Sequence, residues 1–580
     1  MPPIHEGNGL QTSTRVPLSD FFAQRGALAG NGQPQSQVAP VEYLLRENGG
    51  RDLYTFNKNN FAPRASLAYS PQASGGLARK LFGAPGRSVI RAGWGMYYDL
   101  FGSGLITTFD AVALGLATNL TNPSGTQTLS SAPRYAGFNA VPAQLTLPAP
   151  PAGFPQVAPN IQDITTAVDD RIRAPYSMNF NLSLGREFDK GWFIETSYVG
   201  RESRRSLIYE DIAQPTNLRD PASGVTYFEA ASQLMRLSRA RTPAASVPNI
   251  PYWENLFPGA ASATLSATQR IYQVFDANGP DTTNALYTVD VNCRPSCSKF
   301  GKFAFYNEQY SFLRALRSVG FGSYHGFQMT VRKRFSNGDQ VHFNYTLSKS
   351  IDLGSRPESS TASNGTIINA WNRSQFRGVS DFDARHQFNA NLVYGLPFGK
   401  GKTFFAEGKL VNQIFGGWQL GALYRHQSGL PISISPGRNY PTNWNAVGYL
   451  TPTGIPFADG TNKNAQAPVA GGASGPNIFQ DPRAALASWD FTLPGQTGSR
   501  NTVRGDGNFN IDMNLSKAFT MPWSEAHSMQ FRWDVFNVTN STRFDPFFTS
   551  LSFGATGSFG KYTDTFTLPR VMQFSIRYSF

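Results

Sequence analysis

Residues Val341-His342-Phe343-Asn344-Tyr345-Thr346-Leu347-Ser348 alternate apolar and polar side chains without a break. Successive side chains of a β-strand point to opposite faces, so a strand of this kind buries one face and wets the other. The period returns through Tyr176, Met178, Phe180, Leu182 and Leu184, then Phe509, Ile511, Met513 and Leu515, and again Met529, Phe531, Trp533 and Val535. It returns last in Met572, Phe574, Ile576, Tyr578 and Phe580, where the final apolar side chain is also the final residue. Termini usually fray, so an amphipathic strand that runs to the terminal carboxylate suggests that the end itself is recognised.

Weaker alternation runs through 61–69, 88–98, 192–199, 327–335, 387–394 and 418–425. The connections fall into two kinds. Phe188-Asp189-Lys190-Gly191 and Phe335-Ser336-Asn337-Gly338-Asp339 are tight turns with glycine where positive φ is needed. The stretches at about 99–175, 200–322, 350–384 and 429–506 are long and rich in Pro, Gly, Ser and Asn, beyond what a compact soluble domain tolerates as structureless loop. An all-β, antiparallel transmembrane barrel has this asymmetry, with short periplasmic turns and long extracellular loops.

With Phe580 at the periplasmic side, strands alternate at 571–580, 528–536, 507–518, 415–428, 385–395, 340–349, 324–335, 191–200, 176–187, 88–98 and 62–70. Closed bacterial barrels have even strand numbers, and an odd set leaves two edges that lipid does not tolerate. These strands are therefore expected to form part of a larger barrel, unless one more hides in residues 1–60 or in a loop. Residues 1–60 are expected to be loop-rich and extracellular, and 61–580 to be barrel.

Composition agrees. Aromatics reach 13% against only 15% charged residues, with 55 Gly and 39 Pro, a balance suited to strands, turns and interface girdles. The mean hydropathy of −0.32 does not oppose a membrane, because a barrel shows lipid only alternate side chains. No apolar run reaches the ~18 residues of a membrane helix. The N-terminus has neither the basic start nor the apolar core of a signal peptide, so its true beginning is expected to lie elsewhere. The net charge of +13 comes from scattered arginines without a dense basic block, which fits a lumen or rim and gives no support to nucleic-acid binding.

Several segments resemble one family. They are Asn60-Phe61-Ala62-Pro63-Arg64, Val89 to Asp99, Phe382-Asp383-Ala384-Arg385-His386-Gln387-Phe388, Leu396 to Lys402, Gly416-Gly417-Trp418-Gln419-Leu420 with Ser428-Gly429-Leu430-Pro431, Phe531 to Asn540, and Pro569-Arg570 with Phe580. In order and kind they are similar to the Oar-like β-barrel of TonB-dependent transporters. The resemblance implies a 22-stranded barrel of which this chain supplies about the C-terminal half, without the plug or signal peptide. It implies import across the outer membrane of a Gram-negative-type bacterium, coupled to the inner-membrane TonB complex only where a plug is present. It also marks Phe574, Ile576, Tyr578 and Phe580 as the signal read by the barrel-assembly machinery.

Candidate chemistry is sparse. Cys293 and Cys297, in the longest loop, suit a disulfide better than a metal site, since two thiolates without a third ligand do not make a zinc shell. Gly395 and Gly401-Lys402-Thr403 miss the phosphate-loop spacing by one residue. Asp381, Asp383, Arg385 and His386 are expected to pair with one another where a loop enters its strand, and Asn344 makes its glycosylation sequon one of letters only. Trp94, Tyr97, Tyr98, Trp192, Tyr198, Trp418, Tyr424, Trp523 and Tyr578 sit at or near strand ends, as an interfacial girdle does. No catalytic residue, metal site or cofactor is expected. Substrate contacts are expected from the loops and from inward polar positions such as Arg332, Arg334, Asn344, Arg532 and Asp534. The functional expectation is binding and passage without covalent catalysis, in contact with outer-membrane lipid. The alternatives are a surface barrel for adhesion or envelope organisation, or a passive porin.

Overall fold

The structure, a computed structural model, describes residues 12–45, 49–51, 57–72, 75–99, 161–335, 338–355, 365–404, 408–437, 439–458, 460–466, 474–521, 523–549, 551–553 and 556–580. Its wall strands are β1 (Arg64–Tyr69), β2 (Ser88–Tyr98), β3 (Tyr176–Phe188), β4 (Trp192–Asp211), β5 (Tyr310–Arg334) and β6 (Gln340–Asp352). They continue as β7 (His386–Gly395), β8 (Trp418–Gln427), β9 (Asn508–Met521), β10 (Ser524–Phe536) and β11 (Val571–Ser579). Each pairs antiparallel with its neighbour in this series, so order in space follows order in the chain. All the strands expected from alternation are present.

Register carries the alternation from strand to strand. Leu392 faces Val341 and Ala422, Ala422 faces Met513, Met513 faces Val535, and Val535 faces Met572. One face is therefore apolar across the sheet and suits lipid, while the opposite face carries Asn, Ser, Thr, Gln, Arg and Asp. No helix among the described residues is long and apolar enough to cross a membrane.

The short connections all lie at one end. Lys190 (φ 60°) and Gly191 (φ 78°) turn β3 into β4, and Gly338 (φ 90°) sits in the turn from β5 to β6; Ser336 and Asn337 lie outside the described residues. Helix α2 (Gly76–Phe82) joins β1 to β2, and a second short helix, Lys409–Phe415, joins β7 to β8. At this periplasmic end three cations on the lipid face repeat one device. Arg186 lies over the Phe188 ring and donates to Lys80 O (2.8 Å) and Leu81 O (2.6 Å). Lys333, directly opposite Trp192, donates Nζ to Lys190 O and lies 5.3 Å from the Trp192 ring. Lys517, directly opposite Trp418, donates to the carbonyls of Gln413 and Ile414 and lies 5.7 Å from the Trp418 ring. Each cation leaves the lipid face by tying itself to a turn, while its stem and the ring stay at headgroup depth.

At the other end, Tyr198 Oη lies 2.7 Å from His325 Nδ1, and Tyr345 Oη lies 2.9 Å from His386 Nδ1. The eight residue steps from His325 to Lys333 span about 26 Å of strand, or about 20 Å along the membrane normal at the usual barrel tilt. Trp192, Tyr198 and Trp418 thus stand in belts. Tyr97 does not: its row continues through Ser177, Ser203 and Gly322, which is the polar face.

Where they are described, the long loops differ from the expectation of structureless chain; residues 100–160, most of the stretch at 99–175, lie outside the described residues. β4 and β5 run past the membrane as a paired extension, bent at the register shifts between Arg204 and Ile208. Strand Asp163–Val168 adds to one side of it and Thr366–Ile367 to the other. Between β4 and β5, residues 212–309 fold into a helical cap built on α3 (Tyr227–Arg239), α5 (Ala267–Asn278) and α6 (Thr282–Asp290), with the shorter α4 (Pro251–Leu256). Trp253, Tyr252, Phe257, Phe275 and Phe305 form its buried centre. Thr226 with Glu229 and Ser266 with Gln269 make capping boxes that start two of the helices. Cys293 and Cys297 are joined by a disulfide.

The described part of residues 1–60 also departs from a plain loop. Helix α1 (Leu18–Gly30) and the paired segments Thr12–Thr14 and Tyr43–Leu45 pack on the β4–β5 extension through Phe21, Phe22, Tyr43, Tyr310 and Leu313. Apolar residues at 18, 21, 22 and 29 repeat at helical spacing, which drives that docking.

Among the described residues β1 and β11 do not pair with each other. Both run toward the periplasmic end. Phe574 (64% exposed) and Ile576 (70%) leave the β11 edge bare on its apolar face.

Candidate binding site

The inner, polar face carries a concavity of about 890 Å³ at the extracellular ends of β1 to β6. One cross-strand row runs along its floor, from Arg64 through Gly95, Asn179, Arg201 and Tyr324 to Ser350. Glycines let the large side chains lie flat. A Cβ at Gly95 would stand 3.1 Å from the Tyr97 ring and 3.2 Å from Arg64 Cγ, and one at Gly326 would stand 2.7 Å from Tyr324 Oη. Tyr97 and Tyr324 therefore fold down over bare backbone, and the Arg64 guanidinium lies 4.3 Å from the Tyr97 centroid.

The charge at this site is positive. Among the described residues neither Arg64 nor Arg201 makes an ion pair. The Asp352 carboxylate at the rim is taken by Arg500 and by Ser355 Oγ (2.6 Å). Asn179 Oδ1 is buried without a hydrogen-bond partner. The rim is pinned by the segment that leads into β9. Arg504 Nη2 meets Asp383 Oδ2 at 2.5 Å, Asn501 Nδ2 donates to Asp381 Oδ1 at 2.8 Å, and Asp383 Oδ1 accepts from Ser350 N at 2.6 Å. Asp381 and Asp383 therefore pair with residues over a hundred positions away, not with Arg385 or His386. Their carboxylates turn toward the loop, whereas His386 alternates onto the lipid face beside Tyr345.

The five inward positions named from sequence all lie on the polar face, but apart from this concavity. Arg332 stacks on Phe193, Asn344 accepts from Thr330 Oγ1 (2.9 Å), and Arg334 sits at the last pair of β5 with β6. Arg532 pairs with Asp534 on β10 (2.7 Å), with β7, β8 and β9 between them and the others. Sequence reasoning does not single out Arg64, Asn179, Arg201 and Tyr324 because their alignment depends on register across five strands, β1 to β5; Arg201 also falls inside the expected loop. No group of three or more His, Cys, Asp or Glu side chains that could hold a metal occurs among the described residues.

The sequence matches the model of a family described as outer membrane beta barrel domain over residues 2–573. The chain belongs to that family. Membership in this outer-membrane β-barrel family places the chain in the outer membrane. Its solved structural neighbours include the outer membrane transporter YddB from Escherichia coli, 10% identical over 85% of this chain and 38% of that one, with a TM-score of 0.34. A mutant of the ferric enterobactin receptor PfeA from Pseudomonas aeruginosa is 9% identical over 93% and 42% (TM-score 0.34). The ferripyoverdine receptor of the Pseudomonas aeruginosa outer membrane, bound to ferripyoverdine, is 10% identical over 93% and 35% (TM-score 0.30). The barrel chain thus spans about two fifths of the length of these neighbours. No curated protein matches it.

Proposed function

We propose that the chain forms part of the wall of an outer-membrane import barrel of the TonB-dependent, Oar-like type, which binds a substrate at its mouth and passes it inward without covalent catalysis. The observation that carries this reading is the polar, aromatic-floored concavity on the inner face, at the extracellular end of a sheet whose other face suits lipid. Adhesion alone needs no such site inside the wall. Coupling to the inner-membrane TonB complex belongs to this proposal only where a plug domain accompanies the barrel. The terminal strand with Phe574, Ile576, Tyr578 and Phe580 is the part offered to the barrel-assembly machinery.

The test expresses the full-length gene in cells with and without the TonB complex. Heat-modifiable protein in the outer membrane, with uptake that requires TonB, is expected. Native protein in the soluble fraction would refute the barrel, and uptake indifferent to TonB would make it a passive pore.

A further inference from the structure

We propose that the concavity over β1 to β6 takes an acidic oligosaccharide, a short uronate oligomer, with its carboxylates on Arg64 and Arg201. The proposal rests on the reading of this face as a lumen wall only for the direction of travel; binding itself is a property of the site. The charge argument comes first. Arg64 and Arg201 have no carboxylate against them among the described residues, while Asp352, the acidic side chain that lines the concavity, is committed to Arg500. A ligand that satisfies the site brings negative charge, and planar guanidinium forks match carboxylates in bidentate geometry.

The floor selects what carries that charge. Tyr324 and Tyr97 lie flat over glycine backbone, so their rings run along the sheet. The Tyr324 ring, with Ser203 and Ser350 also lining the concavity, offers a ring-shaped ligand a stacking face together with hydroxyl partners, while the Tyr97 ring holds the Arg64 guanidinium in place. A flexible acidic peptide has no matching use for a rigid floor.

Spacing decides between one sugar and several. Arg64 and Arg201 stand three strands apart in one row, about 14 Å at the usual strand separation. One carboxylate cannot lie against both side chains at that distance without each reaching well inward, whereas the acid groups of a trimer can. A cavity of about 890 Å³ has room for such a chain.

Purified full-length chain in detergent micelles, checked for heat-modifiable mobility, is titrated calorimetrically with trigalacturonate, monomeric galacturonate, maltotriose, inorganic phosphate and triglutamate. Trigalacturonate is expected to bind at least tenfold more tightly than each of the others, and to weaken as salt rises. Arg64→Gln and Arg201→Gln should each cost tenfold or more for trigalacturonate, and Tyr324→Ala should weaken it by a similar factor while keeping heat-modifiable mobility. Equal affinity for maltotriose would remove the charge argument. Equal affinity for phosphate or triglutamate, or a Tyr324→Ala variant that binds normally, would remove the saccharide. Because binding is read on isolated protein, its failure leaves the import reading standing, and a failure of TonB-dependent uptake leaves the binding result standing.

Discussion

Asp290, the last residue of α6, is fully buried in the cap and accepts three backbone N–H groups, from Ala304 (2.8 Å), Phe305 (3.1 Å) and Tyr306 (2.9 Å). Burial pushes its carboxyl up from the ordinary 3.8 to about 7, against the smaller downward pull of those three bonds. A carboxyl moved that far holds its proton more tightly in the folded cap by about 4 kcal/mol. The sign follows from which state binds more protons. Between pH 4 and 7 the folded cap is protonated at Asp290 and the opened one is not, so stability falls as pH rises through this window and is level above it. Asp290→Asn removes the buried charge but leaves one amide oxygen for three donors, at a cost of about 1–3 kcal/mol for the donor left unmatched. The two effects oppose each other. At pH 8 the variant cap should be at least as stable as the parent, and at pH 4.5 less stable by about 1–3 kcal/mol. Hydrogen exchange at the amides of residues 304–306, corrected for intrinsic rates and measured in detergent micelles, reads both curves. Asp281, whose carboxyl burial also raises, contributes to both alike. Parallel curves for parent and variant would refute the reasoning.

Other outcomes follow from the wall and rim. Lys333→Ala and Lys517→Ala each free a periplasmic turn, and each should lower barrel stability by about 1–2 kcal/mol, read as an earlier heat-modifiable transition on gels; no change would mean the turn bonds contribute nothing. Arg500→Ala leaves Asp352 buried without its cation and should cost about 3–5 kcal/mol, with the segment before β9 becoming open to protease; intact resistance would count against its pinning role. Deleting Phe580 should reduce the heat-modifiable fraction in the outer membrane, and unchanged assembly would exclude the terminal ring as a recognised element. Non-reducing peptide mapping should recover Cys293 and Cys297 as one linked peptide, whereas two alkylatable thiols would exclude the clip.

The wall was legible in the sequence because a period of two is local. Val341 to Ser348 and Met572 to Phe580 declare their faces without any knowledge of neighbours. The cap was equally written, in Thr226 with Glu229 and in Ser266 with Gln269, yet the expectation that long loops lack structure masked these helix starts. The N-terminal helix was hidden in the same way behind its Pro- and Gly-rich flanks. The concavity was not legible, because nothing within a strand tells that Arg64, Asn179, Arg201 and Tyr324 share one row. Likewise Asp383 gives no hint of Arg504, a partner the fold alone brings to it. Local periodicity specifies faces; only register specifies which residues on a face meet.

The common heading of β1 and β11 limits what can complete the wall. A second copy inserted the same way and turned about the membrane normal would bring its β1 to this β11 side by side and parallel, against the antiparallel ladder that every neighbouring pair of wall strands follows. Two such copies related by a simple rotation would meet only through parallel seams, which are slightly less stable per residue than antiparallel ones. The complement that restores an unbroken antiparallel ring has an odd number of strands, with both outermost strands rising toward the cell surface. For the described strands closure is therefore a matter of parity: a ring made of copies of this segment alone would carry a parallel seam at every junction between copies.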